Sequence, residues 1–361
     1  MRVFQNIGLY KAYVPRIEGL WSGVTSYEDL IRILIADRFG GVHYLKPVVE
    51  GDAACFFTAG DNDRLQQQWA KKVGMTGRPS LDEILLAQIE EHSTDIFYNL
   101  DPIRYGNAFL KRLPGTVKKT IAWRAAPSRG AQFLDHHLIV NNYPSLAEHY
   151  RSLGAKTAYF FPGHDPAMDN YAMNQDRPID VLFIGGFSRH HLQRAAALEA
   201  VSQLSERYCV VFNLDVSLAT KIAETPLGLV GPFRKLRRPA NIRQVSKDPV
   251  FGLDMYRQIS RAKVVINGRV DIAGIDRGNM RVWESLGCGA ALVTDDGIYP
   301  RGMKPGTDFL THNTASDILE CINSLLSNER HRFEVSTSGR KMIQSNFSKE
   351  VQWKRFQELC E

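Results

Sequence analysis

Short apolar runs alternate along this chain with segments whose apolar positions fall three and four residues apart. That alternation predicts strands and amphipathic helices in turn, the pattern of an α/β protein with largely parallel sheets. Residues 1–10, with RVFQNIGLY, predict a first strand. TSYEDLIRILIADRFG opens on a Thr or Ser cap and sets Leu30, Ile33 and Leu34 at helical spacing. SLDEILLAQIEEHS predicts a second capped helix over 80–93, followed by the strand TDIFYNLDP over 94–102. A helix around 104–113 precedes the strand KKTIAWRAAPS. DHHLIVNNYPS reads as a strand and turn, LAEHYRSLGAK as a helix with a glycine stop, and TAYFFPGHDP as a strand running into Pro and Gly.

Residues 162–178 (PGHDPAMDNYAMNQDRP) are polar and carry prolines, which marks a linker. The alternation then starts afresh: strand IDVLFIGGF, helix RHHLQRAAALEAVSQLSER, strand YCVVFNL, helix FGLDMYRQISRA and strand KVVINGRV. Helix GNMRVWESLGCG, strand AALVTDD and helix ASDILECINSLLSN complete it. The 361 residues exceed the size at which one core keeps growing. The expected organisation is therefore a domain over 1–164, a linker over 165–178 and a second domain over 179–335. A helical segment over 336–361 is expected to return to the first domain.

Composition narrows the classes. With 44% apolar and 23% charged residues the chain is neither disordered nor fibrous. A net charge of +6 suits a nucleotide diphosphate, an anionic membrane surface or nucleic acid, without choosing among them. Five scattered cysteines without CxxC spacing read as reduced thiols. With no apolar run near 18 residues and no signal organisation at the start, a cytoplasmic protein is expected.

In open α/β sheets, ligands bind beyond the carboxyl ends of strands. DVLFIGGFSRHHLQR ends a strand at Gly185 and Gly186, where backbone N–H groups can approach a phosphate, and adds Arg189 and Arg194; a simple tight turn fits equally. The helix beginning near Gly278 carries Arg281 in its first turn, where a cation opposes the helix dipole unless an anion sits there. Glu284 lies one turn on, placed either to accept from a ribose diol or to pair with Arg281 on a solvated face.

At these residues the chain resembles the GT-B glycosyltransferases, in particular their CgeB-like (spore-maturation-type) branch. FGLDMYRQISRAKVVIN, DIAG and GNMRVWESLGCGAALVTDDG are similar to the second domain of that family, with its N-M-R-x-[FWY]-E-x-x-G-x-G helix. IDVLFIGGFSRHHLQR resembles its strand–glycine–arginine segment, and LIVNNYPSLAEHYRSLGAKTAYFFPGHDP its inter-domain approach. The resemblance spans roughly 94–330 and fades over 1–90. It implies GT-B architecture: two Rossmann-like domains with parallel sheets facing across a cleft. It also implies that Glu284 binds the donor ribose, with Arg281, Asn279, Gly185, Gly186 and Arg189 near the diphosphate and Asn267 in the cleft. Asp276 precedes Glu284 by the E-x7-E spacing of retaining members but replaces the first Glu, so no stereochemical outcome is implied.

The first domain is expected to supply the acceptor side. Asp101, just past a strand end, reads as a general base or as a turn-initiating Asp-Pro. Trp123 and Arg124 suit stacking on a sugar and pairing with an anionic acceptor group, and His164 is expected at the inter-domain mouth. Asp295–Asp296 reads as a turn rather than a metal pair, because a helix dipole and arginines neutralise a leaving diphosphate. RKLRRPANIRQVSK (234–247) reads as a solvated loop, then as a membrane or lipid-linked acceptor contact, and last as a nucleic-acid site.

The expected function is a metal-independent glycosyltransferase without a cofactor. It would take a nucleotide-diphosphate sugar as co-substrate and a hydroxyl of a surface-type glycan or lipid-linked saccharide as acceptor, with peripheral contact to an anionic membrane. The alternatives are a non-catalytic nucleotide- or sugar-binding protein of the same fold, and a nucleotide-sugar epimerase.

Overall fold

The computed structural model describes residues 1–361 apart from 129, 188–191, 227–235 and 269–273 and the side chains of 192–193. Packing divides it into two units. The first comprises Met1–Gly163, a short segment ending at Asp276, and Phe347–Glu361. The second starts at His164, resumes at Arg277 and ends at Asn346.

The first unit holds six parallel strands: β1 Val3–Ile7, β2 Cys55–Ala59, β3 Ile96–Asn99, β4 Lys119–Trp123, β5 Leu138–Asn141 and β6 Thr157–Tyr159. Their order is β2-β1-β3-β4-β5-β6. Phe4 stands opposite Phe56 on one side and Phe97 on the other. Phe4 and Phe97 join Leu85, Ile89, Tyr105 and Phe109 in a core between the sheet and the helix Leu81–Glu91. That helix starts at a capping box in which Ser80 and Glu83 satisfy each other's backbone N–H groups.

The second unit repeats the plan with β7 Ile179–Gly186, β8 Val210–Asp215, β9 Ser246–Lys247, β10 Ala262–Ile266, β11 Ala291–Asp295 and β12 Leu310–His312. All are parallel, in the order β12-β11-β10-β7-β8-β9. Val181, Phe183, Val264, Ile266, Ala291 and Val293 form the apolar floor on which the helices Leu192–Gln203 and Ala315–Ser327 pack.

Each sheet reverses strand order once, between β1 and β3 and between β7 and β10. Such switch points leave a crevice at the carboxyl ends of the strands. The turns there carry Gly8–Leu9 and Asp101 in the first unit, and Gly185–Gly186 and Asn267 in the second.

Two boundaries differ from the expected ones. The segment read as a linker over 165–178 contains the helix Ala167–Ala172, buries Asp165 and Met168, and belongs to the second unit. At the other end, the helix Glu329–Asn346 stays whole within the second unit, so the return begins at Phe347 rather than at 336. The returning helix Lys349–Cys360 is anchored by Lys349, whose ammonium donates to the carbonyls of Gly41 (2.9 Å), Val42 (3.3 Å) and Tyr44 (2.5 Å). A buried ammonium is tolerable only with such a full set of acceptors.

Candidate functional site

The carboxyl edge of the second sheet is shaped by glycines. A Cβ on Gly185 would lie 3.0 Å from the Phe183 ring, so that position stays small for packing reasons. At exposed Gly186 a Cβ would meet, among the described residues, only the Asp215 carbonyl, 3.9 Å away, which leaves room for a close-approaching group. Arg189 lies outside the described residues. Arg194 reaches across to donate to the Gly268 carbonyl at 2.9 Å, tying the helix after β7 to the end of β10.

The helix Met280–Gly287 starts beside the end of β10, the strand next to β7, through the Asn279–Asn267 bond. Gly278, at φ 111°, delivers the chain to it in a conformation that a side chain resists, and a Cβ there would also press on Pro300 and Trp283 at 3.1–3.2 Å. Asn279 is the N-cap residue but makes no side-chain cap bond; its amide donates to Asn267 Oδ1 at 3.1 Å. The first turn holds no acidic residue, so its positive end is uncompensated.

Arg281 and Glu284 bind each other. Nη1 of Arg281 lies 2.6 Å from Glu284 Oε2 and also contacts Met255 Sδ. This is the i,i+3 ion pair, but it is not on a solvated face: the two side chains are 18% and 5% exposed. Burial raises the Glu284 carboxyl above its ordinary range and Asp165 adds to that, while Arg281 opposes it. The Arg281 and Glu284 charges are thus largely spent inside the unit.

The remaining expected residues are also engaged. Asp276 counts with the first unit, where its Oδ2 accepts the Ser145 N–H at 2.6 Å in the first turn of the helix Pro144–Ser152. His164 belongs to the second unit and is buried, with Nε2 3.3 Å from Asp169 Oδ1. Asp169 also accepts from Arg340 (3.1 Å) and Gln344 (2.6 Å). Burial works against the Asp169 charge, but these partners outweigh it and hold the carboxyl below its ordinary range.

In the first unit, Asp101 anchors the turn after β3 through its carbonyl, which accepts the Tyr105 N–H at 3.1 Å. Its carboxylate lies so close to Gly8 that a Cβ there would be 3.0 Å from Oδ2. Burial raises its pKa, against Arg104 and Arg124. Trp123 is half-buried, packed on the rings of His43 (4.6 Å) and Phe160 (6.1 Å), while Arg124 donates to Ser128 Oγ at 3.0 Å.

Residues 199–358 match the family described as glycosyl transferase-like. A search of curated sequences finds no match. Among solved structures, Anabaena HepE in complex with UDP and glucose superposes at TM-score 0.60 and 10% identity, covering 99% of each chain. S. aureus TarM superposes at 0.53 and 10% identity over 78% of this chain and 59% of that one. AviGT4, a glycosyltransferase of avilamycin A biosynthesis, does so at 0.52 and 15% identity over 77% of both. The fold is GT-B.

Within that GT-B fold, one residue at the carboxyl edge of the first sheet escaped the sequence reading. Asp61 follows β2, and its Oδ2 accepts the Leu9 N–H at 2.9 Å, while Oδ1 is buried without a hydrogen-bond partner. Burial, reinforced by Asp101 and opposed by the Leu9 bond, pushes its carboxyl up to about 6. The available signal was the apolar CFFTA followed by Gly-Asp, a strand end like that of Asp101.

The basic run is largely committed where it is described. Arg238 makes a two-bond pair with Glu224 (2.6 and 2.8 Å), and Arg237 donates to the carbonyls of Ala223 and Thr225. Among the described residues no cluster of three or more His, Cys, Asp or Glu could hold a metal ion. Nor is any described helix long and apolar enough to cross a membrane.

Proposed function

We propose that this protein is a glycosyltransferase that moves a sugar from a nucleoside-diphosphate sugar to a hydroxyl of a glycan or lipid-linked saccharide. The observation that carries the reading is the pairing, at the switch point of the second sheet, of open Gly186 with the uncapped helix at Asn279. That edge offers backbone N–H groups and a positive helix end to a diphosphate. HepE, similar over the whole chain, was solved with UDP and glucose and with UDP-glucose, which favours UDP as the donor nucleotide.

In the proposed reaction the acceptor hydroxyl oxygen forms the new bond to the anomeric carbon. The bond from that carbon to the diphosphate oxygen breaks, and the hydroxyl proton leaves to a base. The helix N-terminus and the backbone N–H groups beside Gly186 stabilise the departing diphosphate in place of a bridging metal. The match to GNMRVWESLGCG supports the CgeB-like branch.

Calorimetry with UDP, GDP and UDP-glucose, with and without EDTA, tests the donor site. One nucleotide should bind regardless of EDTA. Gly186→Val, which has room to fold, should weaken it by at least about a hundredfold by blocking phosphate approach. Absence of binding by every nucleotide would sink the reading.

A second reading, a non-catalytic binder of the same fold, is favoured by the engagement of Asp276 with Ser145 and of Glu284 with Arg281. It predicts nucleotide binding without release of UDP from UDP-glucose when glycan acceptors are supplied. An epimerase would convert the donor sugar with no acceptor present.

A further inference from the structure

The helix at Asn279 starts on a residue type that caps helices, yet it is not capped by it. Ser26, Asn62, Ser80, Ser217, Thr314 and Ser348 each cap a helix by accepting a backbone N–H from its first turn. Asn62 shows that this residue type does so here, with Oδ1 2.9 Å from Leu65 N. Asn279 has the extended backbone of a cap residue (φ −66°, ψ 163°) yet makes no such bond. A cap of this kind normally contributes ~1 kcal/mol.

A chain of side chains explains the loss. The Tyr299 hydroxyl stands 2.6 Å from the Asp295 carbonyl and 3.2 Å from Thr294 Oγ1. Its single proton goes to the carbonyl, so Thr294 donates to Tyr299 and has its lone pair left for Asn267. Asn267 Nδ2 donates to that oxygen at 3.2 Å, which fixes Oδ1 of Asn267 toward Asn279. Asn279 must then present Nδ2, at 3.1 Å, and its own Oδ1 is left buried without a partner. The oxygen that would cap the helix is turned away from it.

A second observation puts unspent polar capacity at the same strand ends. Asn267, Gly268, Asp295 and His312 line a cavity of about 10 Å³, about the space of one water. His312 is 6% exposed, neither ring nitrogen is hydrogen-bonded, and Asp295 Oδ1 stands 3.8 Å from Nε2.

We propose that Tyr299, Thr294 and Asn267 are positioning residues that withhold the Asn279 cap, keeping the Met280 and Arg281 N–H groups for the donor diphosphate, while the Val282 N–H donates to the Asn279 carbonyl. The inference rests on the donor reading above and deepens it. Stability is given up at this helix so that an anion, rather than the chain's own amide, satisfies its N-terminus.

The test is UDP calorimetry on the full chain with Asn267→Ala, Asn279→Ala and the double variant. Asn267→Ala frees Asn279 to cap the helix and should weaken UDP about fivefold, the equivalent of a restored cap. Asn279→Ala supplies the reference that lacks the cap oxygen, and in the double variant the loss caused by Asn267→Ala should disappear relative to that reference. A merely structural role for Asn267 would not be rescued this way, so a double variant that keeps the full loss relative to Asn279→Ala overturns the proposal. Thr294→Val should weaken UDP while Thr294→Ser does not; equal behaviour of the two also overturns it. Failure of the wild-type chain to bind any nucleoside diphosphate overturns the donor reading and this proposal together, whereas binding without rescue overturns this proposal alone.

Discussion

The two sheets share one strand plan, yet their carboxyl edges carry opposite chemistry. In the first unit the edge presents carboxylates: Asp61 bonded to Leu9 N, Asp101 beside Gly8, and Asp276 on Ser145 N. In the second it presents glycines, an uncapped helix and Arg194 on Gly268. A carboxylate edge suits hydroxyl groups, which donate to it. An edge of N–H groups and positive helix end suits an anion. Under the proposed function, the same topology would assign acceptor and donor to different units by which groups the strand-end turns carry.

The largest effect that would break this comparison concerns Arg281. If the second edge has truly buried the Arg281–Glu284 pair, Arg281→Ala leaves Glu284 as an unpaired buried carboxylate, costing about 3–4 kcal/mol at pH 7.5. Glu284 is already raised by burial. Without the arginine the folded state holds its proton more tightly than the unfolded state, so stability should recover as pH falls toward the ordinary carboxylate range. Urea unfolding at pH 7.5 and pH 5 reads both quantities. A cost below about 1 kcal/mol, independent of pH, would mean the pair behaves as a surface bridge. The paired replacement Arg281→Met with Glu284→Leu should restore most of the stability. If it also abolishes UDP binding, the pair serves the donor as well as the fold.

Asp61 gives the next effect, of opposite sign. Its carboxyl is pushed up to about 6, against an unfolded value of about 3.9. A raised acid favours the fold when protonated, so its contribution is most favourable below about pH 4 and is lost as pH climbs through about 6. Asp61→Asn removes the buried charge and keeps an acceptor for Leu9 N–H. It should gain about 1–2 kcal/mol at pH 7.5, discounted for partial exposure, and flatten the pH dependence between pH 4 and pH 6. A loss of stability at pH 7.5 would show that the charge itself is wanted, as it would be if an arginine neighbour dominated.

How far the sequence could show this differs between the units. In the second, β7, β10 and β11 are apolar runs buried on both faces, and such runs announce themselves. β12 did not: Leu310–His312 has one apolar residue of three and is half-buried at the sheet edge. β2, CFFTA, is short and lies in the stretch of the first unit where no motif guided the reading. The Gly185–Gly186 turn and the Arg281–Glu284 spacing were legible because both are local. What these residues bind was not, since spacing three apart describes a ligand clamp and an ion pair equally. The partner of Asp276 lies 131 positions away at Ser145, and the orphaned oxygen of Asp61 depends on the ends of two neighbouring strands. Only the folded sheet brings those together.

The smallest effect sharpens the comparison at Asp276, the expected site residue eight positions before Glu284. Its bond to Ser145 N places a negative charge in the first turn of the helix Pro144–Ser152, which has no acidic residue of its own there and no side-chain cap. The carboxylate therefore does for this helix what a diphosphate is proposed to do for the helix at Asn279: it supplies the missing anion. Asp276→Asn keeps an acceptor but removes the charge, and should cost about 0.5–1 kcal/mol, shrinking at high salt as a dipole interaction does. If Asp276 acts only in this way, UDP affinity should be unchanged and turnover should fall no more than stability explains. A loss of turnover of about a hundredfold with the fold intact would return Asp276 to the reacting centre, and the contrast between an internally satisfied first edge and an open second edge would no longer hold at this residue.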